Sequence, residues 1–422
     1  MTRIRTVVAA VALLVCNPIH ARADVVSDWN AIAIATLVSQ GQSPFAQARL
    51  LSITQLAVFE AVNAIAHEYE PYLGTVVAPL GASADAAAVT AAYRVLKTYF
   101  PANVTLDPAY AASMAAIPDG TAKADGAATG EAAAAQMIAL RVGDGSTPPA
   151  FYLPVSAEPG VWQLTPSCPA AGGVNFHWQG VTPFGVPSDP GDQAWIAQFR
   201  PAPPPALTSN RYAKDYHEVM RVGSLTSTER PQDRADVARI YAASSPGFVF
   251  NLAARQVAAA QGRSLSENAR ALALINMASN DALVASFEAK YHYQLWRPET
   301  AIRADTDDNP KTAPDFAFVP YISTPCFPSY PSNHASGSNS AAEVLRRLYG
   351  AGGHAITIAN PAVPGVILQY TRFEQITDDI DDARVYGGIH FRFDQRAGGR
   401  LGREVATYVY KHNLRRVHRD DN

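Results

Sequence analysis

The sequence predicts an all-α protein, and three observations lead there. Apolar positions recur at three- and four-residue steps, as in Leu50, Leu51, Ile53, Leu56, Ala57, Phe59 and Val62. Alanine, the strongest helix former, is concentrated over residues 28–141. Strand-like alternation of apolar and polar residues is scarce along the whole chain. With 422 residues and 48% hydrophobic content, the chain can bury one large core or two ordinary ones. A formal net charge of -3 leaves no basic excess of the kind that attracts a phosphate backbone, which argues against nucleic acid as a partner.

Taken in order, residues 1–23 read as an export signal: Arg3 and Arg5 precede an unbroken apolar stretch from Val7 to Val15, and Ala21-Arg22-Ala23 offers an A-x-A cleavage site. The expected location is periplasmic or secreted. No later uninterrupted run approaches the roughly 18–20 apolar residues of a membrane span, so no transmembrane segment is expected after signal removal. Residues 24–146 read as several packed helices. Residues 147–205 change texture, with thirteen prolines between Pro148 and Pro205, and read as a long ordered connection that Trp162, Phe176, Trp178 and Phe184 can anchor. Residues 206–422 return to helical texture, notably over 234–241, 265–293, 338–349, 366–376 and 400–412. They suggest a C-terminal bundle with a site in its core or mouth. Cys168 and Cys326, which remain after the signal, are either one disulfide or two free thiols.

Three segments of this bundle carry chemistry. In the first, Lys290 and Arg297 stand seven residues apart, two helical turns, among Tyr291, Tyr293 and Trp296; both cations are expected on one helix face. In the second, the extended run Phe327-Pro328-Ser329-Tyr330-Pro331 ends at Ser332, placed as the N-cap of a helix. The free amides of Asn333 and His334 then face outward from its positive end, a ready oxyanion site. In the third, Arg384 is followed by the Gly387-Gly388 pair, His390 and Asp394, whose four-residue step lets a carboxylate orient the imidazole on a shared helix face. A His-Glu-x-x-His zinc motif is absent.

Together and in this order, Lys-x6-Arg-Pro, Pro-Ser-x-His and Arg-x5-His-x3-Asp resemble the signature shared by the vanadium-dependent haloperoxidases and the type 2 phosphatidic acid phosphatases. The motif core covers residues 290–394. The resemblance implies a helical bundle of the vanadium haloperoxidase and acid phosphatase type, with vanadate as cofactor. Lys290, Arg297 and Arg384 would neutralise its equatorial oxygens, and Ser332 and the Asn333 amide would donate hydrogen bonds. His390 would be the axial metal ligand, supported by Asp394, and His334 the acid–base group beside the apical water; Lys290 would also polarise bound peroxide toward halide. The implied partners are hydrogen peroxide, a halide and, where there is one, a small organic acceptor. Homo-oligomers are common among such enzymes.

The sequence departs from the haloperoxidase pattern at Asn333, where glycine is frequent, and at Ala383, where serine is frequent. Phe327, five residues before Ser332, and Phe287, three before Lys290, favour a chloride-type halide pocket. The same residues also fit an exported acid phosphatase working through a phosphohistidine at His390, and a noncatalytic oxyanion-binding protein is a third reading. Two acidic clusters, Asp378, Asp379, Asp381 and Asp382, and Asp305, Asp307 and Asp308, read as solvated turns with calcium as the alternative. One of the first four is a candidate to hold Arg384 in place.

Overall fold

A computed structural model describes residues 24–188, 194–305 and 307–417; the export signal expected over residues 1–23 lies outside them. The chain opens with α1 (Val25–Ser39) and α2 (Pro44–Ala66), followed by α3 (Ala84–Tyr99), α4 (Leu106–Ala115) and α5 (Thr121–Leu140). The start of α2 shows how local sequence sets these boundaries: the Ser43 side chain accepts the Ala46 N–H, and Pro44 occupies the first turn, where its missing N–H has no cost. α2 is long and apolar enough to cross a membrane, but it is buried in the bundle.

The proline-rich connection holds a short 3-10 turn (Phe176–Gly180) and α6 (Ala194–Ala197). It is fastened to the protein at four places. Trp178 and Phe184 enter the main core. Asp281, fully buried, accepts the backbone N–H groups of Phe184, Gly185 and Val186 at 2.7, 2.7 and 3.0 Å. The Pro201 and Ala202 carbonyls accept the hydroxyls of Tyr293 and Tyr330. Cys168 forms a disulfide with Cys326, which resolves the two readings left open by the sequence.

The remaining elements are α7 (Asn210–Val222), α8 (Gln232–Ala242), α9 (Pro246–Gln261), α10 (Leu265–Tyr293), α11 (Pro298–Arg303), α12 (Asn333–Tyr349), β1 (Ile356–Ala359), β2 (Ile367–Tyr370), α13 (Phe373–Tyr386) and α14 (Arg392–His412). α10 is the axis of the molecule. Ser264 and Glu267 cap its start reciprocally, and it is buried on nearly every face from Ser266 to Tyr291. α2 packs on it from the N-terminal side, α12 and α14 from the other. Residues of both halves therefore share one hydrophobic core. One buried polar cluster on this axis is satisfied internally: Asn251 and Asn276 exchange hydrogen bonds at 3.0 and 2.9 Å, and Asn30 joins them at 2.8 Å.

Two expectations about local structure change. Residues 366–376 are not one helix: the β-branched and apolar run at Ile367 pairs antiparallel with Ile356–Ala359, and α13 starts only at Phe373. α14 begins at Arg392, eight residues before the stretch expected. α12 begins at Asn333, with Ser332 as the N-cap that the sequence places there.

α12 and α14 run parallel to each other and antiparallel to α10, so two helix N-termini meet the C-terminus of α10 at one end of the bundle. Glycine permits the required closeness. A Cβ on Gly398 would fall 2.3 Å from the Ser332 carbonyl oxygen, and one on Gly402 would fall 2.2 Å from that of Ser336. Replacing Gly398 by alanine must therefore separate α12 from α14. The expected result is a loss of about 1–3 kcal/mol in denaturant unfolding, together with weaker binding of orthovanadate or phosphate; unchanged stability would show that the helices can part without penalty.

Candidate active site

Lys290 lies in the last turn of α10 and is fully buried. The two-turn reading for Lys290 and Arg297 does not hold, because Gln294 adopts a left-handed conformation (φ 49°) that ends α10. Arg297 is instead the N-cap of α11. The two side chains still converge, since both cations lie over the ring of Phe327, Lys290 at 5.4 Å and Arg297 at 4.9 Å from its centroid.

The Lys290 ammonium donates to three backbone carbonyls of the extended run: Pro328 at 2.8 Å, Ser329 at 2.7 Å and Pro331 at 2.6 Å. Three acceptors require three N–H donors, so the group is a charged ammonium. Burial and the Arg297 charge push its pKa down, and Asp394 opposes them. All its hydrogens are committed to this run, so what Lys290 offers a ligand here is charge rather than a free hydrogen bond.

Arg297 donates from Nε to the Phe327 carbonyl at 2.8 Å and from Nη1 to the Ile389 carbonyl at 3.0 Å, while its Nη2 has no partner. Arg384, in the last turn of α13, has a single 3.4 Å contact with the Tyr241 carbonyl and leaves Nε without a partner. Burial pushes these guanidiniums down to about 9 and about 10, so both stay charged at neutral pH.

His390 precedes α14, with Phe391 as N-cap and Asp394 in the first turn. The pair thus meets across a helix start and not on a shared helix face. Asp394 Oδ2 accepts from His390 Nδ1 at 2.8 Å, from the Phe391 N–H at 3.1 Å and from the Ser329 hydroxyl at 2.6 Å. With Nδ1 donating, Nε2 carries the lone pair, and it accepts from Arg297 Nη1 at 2.9 Å. Burial, then Arg297, Lys290 and Arg384, push His390 well below the usual histidine range, so it is a neutral imidazole. Gly388, at φ 80°, turns the chain from α13 into this position.

At the start of α12, the Ser332 side chain accepts the Ala335 N–H at 3.4 Å, and the amides of Asn333 and His334 have no acceptor among the described residues. His334 is half-buried, makes no hydrogen bond among the described residues, and is held neutral by burial and by Arg384, Lys290 and Arg297. Phe327 walls the site beneath the cations. Phe287 is fully buried behind it, packed on Phe45 at 4.6 Å and Phe327 at 5.2 Å, so it backs the wall instead of lining it.

The site thus holds Lys290, Arg297 and Arg384 buried against a single carboxylate, Asp394. An excess of two positive charges, two unpartnered guanidinium nitrogens and two open amides at a helix N-terminus fit a tetrahedral oxyanion such as vanadate or phosphate. The acidic clusters contribute nothing here. Asp379 and Asp382 lie in α13 and pair with Arg234 at 2.8 and 3.0 Å; Asp382 also pairs with Arg392, and none of the four bonds Arg384. Asp307 closes its own turn through Asn309 and Thr312. Among the described residues no group of three or more His, Cys, Asp or Glu side chains is placed to hold a metal ion.

Residues 270–419, which span nearly all of these groups, match the family described as the VCPO second helical-bundle domain. In sequence, this segment resembles the vanadium haloperoxidases. A curated relative, vanadium chloroperoxidase of Curvularia inaequalis, is 27% identical over 180 residues, covering 35% of this chain and 29% of that protein. The haloperoxidase fold extends further than this sequence match. The solved structure of a bacterial vanadium-dependent iodoperoxidase superposes with a TM-score of 0.79 at 23% identity, covering 96% of this chain and 100% of that one. An apo-type bacterial vanadium-dependent chloroperoxidase gives 0.70 at 16% identity, covering 88% and 95%.

Within this bundle, Ser329 is a site residue that the sequence did not single out, since one serine among prolines carries no signal. It is fully buried, and its hydroxyl, amide and carbonyl reach Asp394, Leu295 and Lys290 respectively. Ser329→Ala should therefore weaken orthovanadate binding by about 10-fold in calorimetry with little change in melting temperature; unchanged affinity would remove Ser329 from the site. The two buried neutral histidines make a second expectation. In the unfolded chain they take up protons near pH 6.5 and in the folded protein only well below it, so the unfolded state binds more protons over that window. Asp394, which burial pushes up to about 7, opposes the histidines over the same window, so the net effect is that of about one histidine: apoprotein stability should fall as pH drops through about 6.5. A melting temperature independent of pH between 5 and 7.5 would contradict this assignment.

Proposed function

We propose that the protein is a vanadium-dependent haloperoxidase that oxidises halide with hydrogen peroxide, exported to an oxidising compartment. The observation that carries this reading is the buried charge excess opposite a neutral His390 whose Nε2 lone pair is held in place. Arg297, Arg384 and the amides of Asn333 and His334 would hold vanadate, with Lys290 adding charge and His390 Nε2 as the ligand atom. Bound vanadate supplies a Lewis acid that activates peroxide toward halide without changing oxidation state.

The protein's own part is proton management and exclusion of water. Asp394 Oδ2 keeps the proton on His390 Nδ1 and so keeps Nε2 available. His334, neutral and half-open, takes the proton that peroxide gives up and returns it to the leaving oxygen. The Phe327 ring desolvates the halide side. The Cys168–Cys326 bridge supports export, since such bonds persist in oxidising compartments.

A phosphatase would use the same groups with His390 Nε2 as nucleophile, so the test measures both activities. Halogenation of a phenolic dye with peroxide and bromide or chloride, before and after adding orthovanadate, is run beside hydrolysis of a phosphate ester. Vanadate-dependent halogenation is expected; ester hydrolysis inhibited by vanadate would transfer the site to phosphoryl chemistry. His390→Ala should abolish the activity, whereas His334→Ala should slow it about 10²–10⁴-fold and leave orthovanadate affinity nearly unchanged.

A further inference from the structure

The helices that build the active site at one end of the bundle build a second concavity at the other. It has a volume of about 490 Å³ and lies between the start of α10, the ends of α12 and α14, and the segment after α14. Arg270 is twenty residues before Lys290 on α10, so the two sites are roughly 30 Å apart.

This cleft is lined by six cations, Arg263, Arg270, Arg347, Lys411, Arg415 and Arg416, and by one carboxylate, Glu267. Three of the cations have carboxylate partners: Arg263 with Glu267 at 3.1 Å, Arg347 with Glu343 at 2.7 Å, and Arg415 with Glu70 at 2.6 Å. Arg270, Lys411 and Arg416 have no ion pair among the described residues, although Arg416 lies against the Tyr69 hydroxyl and within electrostatic reach of Glu68 and Glu267. The guanidiniums are strung over two tyrosine rings. Arg416 and Arg270 lie at 5.7 and 5.0 Å from the centroid of Tyr69, and Arg270 and Arg347 both at 5.4 Å from that of Tyr410.

Helix dipoles do not account for this gathering. They favour Arg347 and Lys411 at the C-termini of α12 and α14, but Arg270 stands near the positive end of α10, where a cation is disfavoured. Arg270 spends only Nε, on the Leu414 carbonyl at 2.6 Å, and its terminal fork faces no acceptor among the described residues. Two guanidinium forks sharing one ring repel each other until an anion lies between them, and their planar geometry suits a carboxylate. Ala271, Leu348 and the Tyr349 ring supply an apolar wall beside them.

We propose that this cleft is a second binding site, separate from the oxyanion pocket, for a small organic carboxylate held by Arg270 and Arg416. The test is calorimetric titration with benzene-1,3-dicarboxylate, a planar anion unsuited to a tetrahedral pocket. The purified protein should bind it with submillimolar affinity that weakens with salt. Arg270→Gln combined with Arg416→Gln should lower that affinity at least about tenfold, whereas Arg384→Gln should leave it unchanged. Arg416 is exposed, so Arg416→Gln alone should fold normally and lower affinity about threefold or more, which keeps the test decisive should the double variant not fold. Wild-type affinity in the double variant, or loss in Arg384→Gln instead, overturns the proposal. Binding seen only when the chain is cut after Val417 also overturns it, since the chain's own Asp420 and Asp421 would then be the competing anions.

Discussion

Three buried cations facing one buried carboxylate form the constraint on which the rest of this structure depends. Lys290, Arg297 and Arg384 are each almost fully removed from solvent, and Asp394 is the single anion among them. Burying charge is tolerable only when hydrogen bonds and counter-charge offset the lost hydration. Here backbone carbonyls take every hydrogen of Lys290 and two of the five on the Arg297 guanidinium, but they cannot neutralise the charge. The pocket is therefore built at a standing electrostatic deficit that an oxyanion with two negative charges would remove. The same field explains why His334 and His390 are neutral: each is pushed down first by burial and then by these cations.

Maintaining such a pocket needs a rigid frame, and the fold supplies one from several directions. α10 brings Lys290 from the most buried helix in the molecule. α12 and α14 deliver two helix N-termini, pressed together through Gly398 and Gly402. The extended run between Phe327 and Ser332 is held by Lys290 on one side and by Ser329 and Asp394 on the other, and the Cys168–Cys326 bridge ties its start to the proline-rich connection. Lys290 thus has two functions at once: it charges the pocket and it fixes the backbone that carries Ser332.

Much of this was legible in the sequence, for reasons that can be named. The helical class follows from the 3.6-residue rhythm and the alanine content, and the long helix expected over 265–293 agrees with the structure, where Ser264 and Glu267 cap its start. The three charged segments stood out because cations among aromatics and prolines are unusual on a wet surface. Other features were not legible. The break at Gln294 depends on a left-handed residue that no proline or glycine announces, so Arg297 was placed on the wrong helix. The strand at Ile367 acquires its character from pairing with Ile356, which is a tertiary event. Ser329, Gly398 and Asp281 act through contacts between segments far apart in the chain, and spacing within one segment carries no trace of them.

The central claim is that the charge excess around His390 is a seat for a tetrahedral oxyanion. A crystal structure of the protein soaked with orthovanadate, using the anomalous signal of vanadium, tests it most directly. The account predicts one peak within reach of His390, Arg297, Arg384 and the amides of Asn333 and His334. A peak elsewhere, or none at saturating orthovanadate, would contradict it.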